Sequence, residues 1–252
     1  MRVEYYKEFS KILNRDMEFK VYGHSGKPCI FFPSQNGRFY DYENRGIINS
    51  IEWYIENGKI QVFCVDSMDL ESYSADWMNP RDRIYHQELY YRYIVEEFVN
   101  RIYDINPNIY NNSGIMTYGV SMGAYHAVNF FIRRPDIFDS VLALSGIYRS
   151  NFFIHNYCDD LMFLNSPIDS LKNMDYNHHY VDLYKKSRII ICVGQGNYES
   201  DCLNDTKAID YEFKRLGVPA WIDYWGYEHP HDWPSWLEQT PHFMYHILDW
   251  VI

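Results

Sequence analysis

Seven short apolar segments, separated by longer stretches with a helical pattern, are the feature that most restricts the fold of this chain. The first, MEFKVYG at 17–23, alternates apolar and polar residues, whereas several others are apolar almost throughout. Continuous apolar strands are typical of parallel sheets that are covered on both faces. The other six segments are 28–34, 60–67, 114–119, 140–146, 188–196 and 220–226.

Helical patterns fall between these segments. In 83–103 the apolar residues recur at three- and four-residue steps, which places them on one stripe of a helix. A second helix is predicted over 121–134, where Pro135 stops it. A third is predicted over 203–217, with its terminal glycine as the C-cap and a proline two residues later.

The chain ends in a further helical pattern over 234–252, which we expect to be broken near Pro241. Strands that alternate with helices form βαβ units, so we predict an α/β fold with a mostly parallel central sheet and helices on both faces. We expect 1–252 to form one domain. Within it, 147–187 is rich in Tyr, Asn, Asp and Phe, and we interpret it either as an excursion that roofs a cleft or as a plain surface connection.

The charge of the chain restricts its partners. It has 34 acidic and 23 basic residues, a formal net charge of −11, and the basic residues are scattered. Nucleic acids and anionic membranes attract clustered cations, so we expect neither as a partner. The N-terminus carries charges throughout, and no apolar run approaches the ~18 residues of a membrane span. We therefore predict a cytoplasmic protein, and no sequence feature specifies its oligomeric state.

The cysteines and histidines give no metal signature. The cysteines are odd in number and irregularly spaced, which favours buried reduced thiols in a reducing compartment. The pairs His178–His179 and His229–His231 lack a third ligand at a familiar spacing. We therefore predict neither a metal site nor a cofactor. The five cysteines are Cys29, Cys64, Cys158, Cys192 and Cys202.

The segment YGVSMGAYHA at 118–127 carries the chemistry that the sequence predicts. Ser121 stands between Gly119 and Gly123, behind an apolar run and ahead of small residues. A strand that turns abruptly into a helix needs glycine at both flanks, and it holds the serine hydroxyl at the carboxyl edge of the sheet. The amide of Met122 would then face a developing oxyanion. The alternative is an ordinary serine at the start of a helix.

A serine hydroxyl is a poor nucleophile without a base and an orienting acid. In this architecture the acid and then the histidine follow the serine along the chain. The turn after 188–196 offers Glu199, which we favour, and Asp201, which also suits the N-cap of the next helix. Asp205 is a poorer third candidate.

The histidine should follow the last strand, where His231 is favoured over His229. His229 would then be a pocket wall or a solvated loop residue. His126 lies within the helix after the serine and is interpreted as structural. These positions allow His231 to act as the general base.

A second oxyanion donor should come from the loop after 28–34. We expect the backbone amide of Gln35, with Ser34 and Asn36 as alternatives, or a plain turn without this role. Trp77 and Trp233 are candidate walls of a substrate pocket, although core packing explains them equally well.

These residues resemble the putative-esterase (esterase D-like) group of α/β-hydrolases. The segment 114–146 is similar to the nucleophile region of that group in its elbow, its Arg-Pro-Asp-x-Phe helix end and its strand closing in Ser-Gly, and 217–236 looks like its histidine loop. The group includes S-formylglutathione hydrolases, feruloyl and acetylxylan esterases, and mycolyltransferases. The resemblance implies the α/β-hydrolase fold, with Ser121 as nucleophile, Met122 as an oxyanion amide and His231 as base.

The chain departs from the pattern of the group in two places. Members often carry His-Gly after the third strand, where this chain has Ser-Gln-Asn-Gly at 34–37. Which amide completes the oxyanion site is therefore open. The acid of the group is more often Asp, whereas the better-placed residue here is Glu199.

The sequence therefore predicts a serine carboxylic-ester hydrolase that works through a Ser-His-acid triad and an acyl-enzyme. A small-molecule ester is the expected partner, carrying a short acyl group or a carbohydrate or aryl moiety. Three other functions remain open: an acyltransferase with the same triad, a thioesterase or peptidase, and a non-catalytic scaffold that keeps the fold.

Overall fold

A computed structural model describes residues 1–106, 114–155 and 157–248. Its central feature is an eight-stranded sheet with the strand order β1-β2-β4-β3-β5-β6-β7-β8. The pairs β1–β2 and β2–β4 are antiparallel, and every other neighbouring pair is parallel. The strands are β1 (Val3–Ser10), β2 (Arg15–Tyr22), β3 (Lys27–Phe32), β4 (Ile60–Val65), β5 (Ile115–Val120), β6 (Phe138–Leu144), β7 (Arg188–Val193) and β8 (Trp221–Tyr224).

Helices cover both faces of this sheet, which confirms the predicted α/β class. Side chains of β3 alternate between the two faces, so Ile30 and Phe32 join one apolar cluster while Cys29 and Phe31 join the other. The helices are α1 (Asp41–Asn44), α2 (Ile47–Ser50), α3 (Glu52–Glu56), α4 (Pro80–Arg92), α5 (Val99–Ile105), α6 (Met122–Arg133), α7 (Asp160–Leu164), α8 (Pro167–Lys172), α9 (His179–Lys186), α10 (Ser200–Arg215) and α11 (Trp233–Leu248).

Each of the seven predicted apolar segments overlaps one strand, but the sequence analysis missed β1. Its side chains alternate in exposure along the edge of the sheet, and Tyr5 and Phe9 are 53% and 61% exposed. An edge strand with so much polar and exposed surface carries little of the apolar signal that marks a buried strand. From the sequence, this strand is therefore seen only as part of a charged N-terminus.

The predicted helix over 83–103 is longer and less regular than its sequence pattern indicates. It begins at Pro80, where Asn79 Oδ1 accepts the amide of Asp82 at 3.0 Å and so caps the helix. Between α4 and α5 the chain continues as a π-helical segment, Tyr93–Phe98. None of the described helices is long and apolar enough to cross a membrane.

The prediction of a break near Pro241 is wrong. Helix α11 continues through this proline from Trp233 to Leu248. Trp236 on one side of it and Phe243 and Ile247 on the other are buried in the same apolar cluster. Burial on both sides of the proline therefore holds the two halves in line, despite the missing backbone donor. The last four residues of the predicted helix, 249–252, lie outside the described residues.

The excursion at 147–187 is built of short helices. Residue 156 lies outside the described residues; the remainder contains a 3₁₀ turn, Ser150–Phe152, and the helices α7, α8 and α9. Leu171 and Tyr184 are fully buried against the main core, so this part is anchored to the sheet. Phe152 and Phe153 line a cleft at the carboxyl edge of the sheet.

The corner between β5 and α6 leaves no room for side chains at its glycines. A Cβ at Gly119 would lie 2.1 Å from the carbonyl carbon of Gly123, and a Cβ at Gly123 would lie 2.1 Å from the carbonyl oxygen of Phe32. Ser121, between them, has a φ of 56°, which an L-residue adopts only at a cost. The strand-to-helix turn therefore has the tight geometry that its glycine spacing predicts.

Replacing Gly123 by alanine should destabilise the protein more than the same change at Gly46. Gly46 has a φ of 81°, but a Cβ there would meet nothing closer than Leu237 Cδ2 at 3.6 Å. Gly46→Ala should therefore cost about 1–2 kcal/mol for the left-handed backbone alone. Gly123→Ala forces two backbone segments apart and should cost more than about 3 kcal/mol. Urea unfolding measures both free energies; equal losses would contradict the close approach at Gly123.

Candidate active site

The three residues predicted to act together all follow strands at one edge of the sheet. Ser121 follows β5, Glu199 comes after β7, and His231 comes after β8. Because parallel strands end at the same edge, their following loops lie next to one another. Residues far apart in the sequence therefore meet at this edge.

Direct backbone contacts fix the loop of His231 against the loop of Glu199. The amide of His231 donates to the carbonyl of Asn197 at 2.9 Å, and the amide of Gly196 donates to the carbonyl of His229 at 3.1 Å. On the other side, Ser235 Oγ donates to the carbonyl of Pro230 at 2.8 Å. The histidine is thus held from both of its flanks.

The structure joins Ser121, His231 and Glu199 in one chain of contacts. His231 Nε2 lies 2.9 Å from Ser121 Oγ, and His231 Nδ1 lies 3.3 Å from Glu199 Oε2. With its proton on Nδ1, the imidazole donates to the carboxylate and accepts the serine hydroxyl at Nε2. This arrangement orients the lone pair of Nε2 toward the serine, as a general base requires.

A second serine holds the carboxylate of Glu199. The Glu199 side chain is 1% exposed, and its Oε1 accepts a hydrogen bond from Ser145 Oγ at 2.5 Å. Trp236 Nε1 donates in turn to Ser145 Oγ at 3.0 Å. Ser145 follows β6 with a φ of 55°, a conformation that points its side chain between the two neighbouring loops. The sequence analysis missed this residue, although its Ser-Gly strand end was noted.

Among the described residues, neither alternative acid forms a hydrogen bond or ion pair with His231. Asp201 is exposed in the first turn of α10, which begins at Ser200, so its predicted role as N-cap is wrong. Asp205 is buried; it accepts the amide of Tyr148 at 2.8 Å and pairs with Arg149 at 2.5 Å. Because α10 begins at Ser200 rather than at the predicted 203, Asp201 lies on the helix, where Asp205 was already expected.

Among the described residues, His229 and His126 form no hydrogen bond with Ser121 and have other partners. The ring of His229 packs against Trp225 at 4.6 Å and lies 3.5 Å from a carboxylate oxygen of Glu228. His126 is buried on α6, where its Nε2 lies 3.0 Å from Asp69 Oδ1. His126 therefore contacts a neighbouring element, as its structural interpretation expects.

Two backbone amides near Ser121 remain available to a ligand. Met122 begins α6, and Gln35 lies in the loop after β3; both residues line the same cleft. Within the described part of the chain, neither amide has a hydrogen-bond acceptor. Asn36, an alternative donor, is engaged because its amide donates to Asp69 Oδ2 at 3.0 Å. Helix N-termini and adjacent loop amides of this kind stabilise negative charge.

Asp69 connects the loop of Gln35 to the helix of Ser121. This aspartate is fully buried in a 3₁₀ turn and uses one oxygen for the amide of Asn36 and the other for His126. Asn36 itself has a φ of 59°. The two elements that carry the free amides are therefore clamped by one carboxylate. This contact has no local sequence signal, because its three residues belong to three separate segments.

The cleft beside Ser121 is small and partly aromatic. Its volume is about 190 Å³, below the ~300–1,000 Å³ of ordinary small-molecule pockets. Neither of the two tryptophans that the sequence predicts as pocket walls is among the residues that line the cleft. Trp77 is 79% exposed, and the ring of Trp233 packs against that of Trp236 at 5.1 Å. The lining residues are Gln35, Ser121, Met122, Ser145, Ile147, Phe152, Phe153, Tyr198, Asp201, Cys202 and His231.

One cysteine lies unexpectedly close to the histidine. Cys202 Sγ is 3.7 Å from His231 Nδ1, and the side chain is 3% exposed. Burial, reinforced by the negative charge of Glu199, raises the pKa of this thiol far above its usual value. All five cysteines are free, but Cys158 is exposed, which corrects the expectation that all of them are buried.

Comparisons with known proteins agree with this fold. A family model described as "Putative esterase" matches residues 10–239. A solved ferulic acid esterase superposes with a TM-score of 0.74 at 16% identity, over 96% of this chain and 97% of that one.

Two S-formylglutathione hydrolases superpose in the same way. The enzyme from Agrobacterium tumefaciens gives a TM-score of 0.73 at 14% identity, over 98% of this chain and 94% of that one. The enzyme from Staphylococcus aureus gives a TM-score of 0.66 at 17% identity, over 98% of this chain and 97% of that one. A search of curated protein sequences finds no significant match. At these identities the structural likenesses show the fold, which is the α/β-hydrolase fold.

Ser145→Ala should destabilise the protein by about 2–3 kcal/mol, because it removes a hydrogen bond to a buried carboxylate and leaves the Trp236 indole without an acceptor. Ser145→Gly loses the same hydroxyl but relieves the positive φ, so its loss should be about 1 kcal/mol smaller. Ser150→Ala is the matched control: a buried serine that donates to the carbonyl of Met162, with an expected loss of about 1 kcal/mol. Urea unfolding ranks the three; a loss at Ser145→Ala no larger than the control would refute its role.

Proposed function

The chain belongs to the putative esterase family, and on that premise we propose that it is a serine carboxylic-ester hydrolase in which Ser121, His231 and Glu199 form the catalytic triad. The observation that carries the assignment is the continuous contact from Ser121 Oγ through both ring nitrogens of His231 to the buried Glu199. A nucleophile, a base and an orienting acid in this order are what acyl transfer from an ester requires.

In the first half of the reaction, Ser121 Oγ attacks the ester carbonyl while His231 Nε2 takes the hydroxyl proton. The tetrahedral intermediate carries a negative oxygen, for which the free amides of Met122 and Gln35 are the proposed donors. His231 then returns the proton to the leaving alcohol. The product of this half is an acyl-serine ester on Ser121.

In the second half, water takes the place of the alcohol. His231 Nε2 removes a proton from the water as it attacks the acyl-serine, and the same two amides face the second oxyanion. Collapse of that intermediate releases the carboxylic acid and returns the proton to Ser121 Oγ. His231 therefore takes part in every proton transfer of the cycle.

Glu199 orients the imidazole and stabilises its charged form. As His231 becomes positively charged, the buried carboxylate 3.3 Å from Nδ1 offsets that charge. Ser145 holds the other oxygen of the carboxylate, so the acid cannot rotate away from the histidine. The pair is thereby set up before the substrate binds.

The cleft supports a small acyl group as the substrate's reacting part. A space of about 190 Å³ holds a short acyl chain more readily than a long one. Phe152, Phe153 and Tyr198 at its lining offer flat apolar surfaces, on which an aryl or sugar ring of the ester can pack. We therefore propose short-acyl esters of aryl or carbohydrate character as the substrate class.

We propose a cytoplasmic location as well. The chain carries five cysteines and all of them are free thiols, which is the usual state in a reducing compartment. The expected partner is the small-molecule ester itself. The net charge of the chain, −11, also supports a small-molecule partner over nucleic acid.

Ser121→Ala should abolish ester hydrolysis and covalent labelling. Removal of the nucleophile should lower the turnover of p-nitrophenyl acetate by at least about 10⁴-fold and eliminate the single fluorophosphonate adduct seen by intact mass. The melting temperature should barely change, because alanine keeps the size and backbone of the serine. Ser140→Ala, at the start of β6, is the control and should keep the adduct. Persistent labelling of Ser121→Ala would exclude Ser121 as nucleophile.

Glu199→Gln should reduce kcat by about 10³- to 10⁴-fold, because the neutral amide no longer balances the imidazolium. Asp201→Asn should leave kcat nearly unchanged, since Glu199, and not Asp201, is the carboxylate paired with His231. Steady-state kinetics with p-nitrophenyl acetate compares the two variants directly. The opposite ranking would assign the acid to Asp201.

A further inference from the structure

Three metal-ligating side chains meet behind the cleft. One ligand atom from each of Glu199, Cys202 and His231 lies within 4.8 Å of the other two, and the described residues contain no other such group of three or more. Two of the three residues were proposed above for the triad. Cys202 has no role in that reaction.

Two of the three spacings between these atoms match the spacing of ligands on a tetrahedral zinc ion, and the third, between Cys202 and Glu199, is within 4.8 Å. Zinc binds thiolate sulfur at about 2.3 Å and imidazole nitrogen at about 2.0–2.1 Å, so such ligands lie about 3.6 Å apart at a tetrahedral angle. Cys202 Sγ and His231 Nδ1 are 3.7 Å apart. Carboxylate oxygen and imidazole nitrogen on one zinc lie about 3.4 Å apart, and Glu199 Oε2 is 3.3 Å from His231 Nδ1.

We propose that Cys202 Sγ, His231 Nδ1 and Glu199 Oε2 form a site for a zinc-class divalent cation, and that its occupation stops the reaction at Ser121. Thiolate and imidazole ligands select Zn²⁺, Co²⁺ or Cd²⁺ over Mg²⁺ and Ca²⁺, which prefer oxygen. The inhibition rests on the proposed function, whereas the binding does not.

Access and charge both suit a cation. Cys202 and His231 line the cleft, so an ion can enter from it and keep a water as its fourth ligand. A thiolate and a carboxylate together carry two negative charges, which balance a divalent ion in a site where Glu199 and Cys202 are almost fully buried. A buried site with this balance does not leave an unpaired charge.

The proposed binding step conserves all protons. The thiol of Cys202 loses its proton to water as sulfur binds the metal. Nδ1 of His231 must be free of hydrogen to coordinate, so the imidazole proton moves to Nε2. An Nε2 that carries a proton cannot accept one from Ser121, which is 2.9 Å away. The cation would therefore inactivate the base without filling the cleft.

Cobalt binding tests the site without reference to activity. We would titrate Co²⁺ into the full-length protein, reduced with a phosphine, and measure the near-ultraviolet charge-transfer absorption of a thiolate–cobalt bond. The wild type should bind one equivalent with this band. Cys158→Ala, which removes an exposed free thiol outside the group, should behave like the wild type, and Cys202→Ala should lack the band.

The absence of the band in the wild type, or an unchanged band in Cys202→Ala, would overturn the site. Thermal unfolding checks that Cys202→Ala is folded. Cys202→Ser, which keeps the side-chain volume, should lack the band in the same way. Both variants therefore separate loss of the ligand from loss of the fold.

Inhibition is measured with each variant compared with itself, with and without Zn²⁺. Zinc should lower p-nitrophenyl acetate hydrolysis and fluorophosphonate labelling of the wild type, EDTA should restore both, and Mg²⁺ should have no effect. Cys202→Ala should need at least about tenfold more zinc for the same inhibition.

Cobalt binding without inhibition would overturn the proposal that the bound cation stops the reaction. A protein inactive without any metal would instead refute the proposed function, while the cobalt spectrum still decides the site.

Discussion

The close approach of α6 to the end of β3 is the constraint on which the site depends. Gly123 lies where a Cβ would reach 2.1 Å from the carbonyl oxygen of Phe32. This contact brings the loop of Gln35 next to the first turn of α6, where Ser121 and Met122 stand. A larger residue at this position would separate the amides of Gln35 and Met122, the two proposed oxyanion donors.

Both oxygens of the buried Glu199 carboxylate have hydrogen-bond partners. A carboxylate that is 1% exposed has lost its water, which is costly unless hydrogen bonds replace it. Ser145 donates to one oxygen and His231 contacts the other. Both donors are themselves held, Ser145 by the indole of Trp236 and His231 by the backbone of Asn197. The orientation of the histidine is therefore set by contacts in three loops and one helix.

The sequence predicts the fold class and the loops of the site because both depend on local patterns and on chain order. Apolar runs mark seven strands, and the glycine spacing around Ser121 marks the corner. The contacts that are missing from the sequence analysis are tertiary. Ser145 reaches Glu199 because β6 lies between β5 and β7 in the sheet, and Pro241 stays helical because burial holds both halves of α11. Trp77 was a candidate pocket wall because it is aromatic, but aromaticity alone does not distinguish a ring that lines a cleft from one that is exposed elsewhere.

The buried contact of Asp69 has a consequence for how such a chain can diverge. One carboxylate serves the amide of Asn36 and the ring of His126, so an apolar residue at position 69 leaves a buried amide and an imidazole without an acceptor. The Nδ1 atom of His126 already has no partner among the described residues. A substitution at position 69 or 126 is therefore tolerated only together with a compensating substitution at the other position. Positions 69 and 126 should evolve as a pair, whereas Tyr198, which is 88% exposed, is free to change on its own.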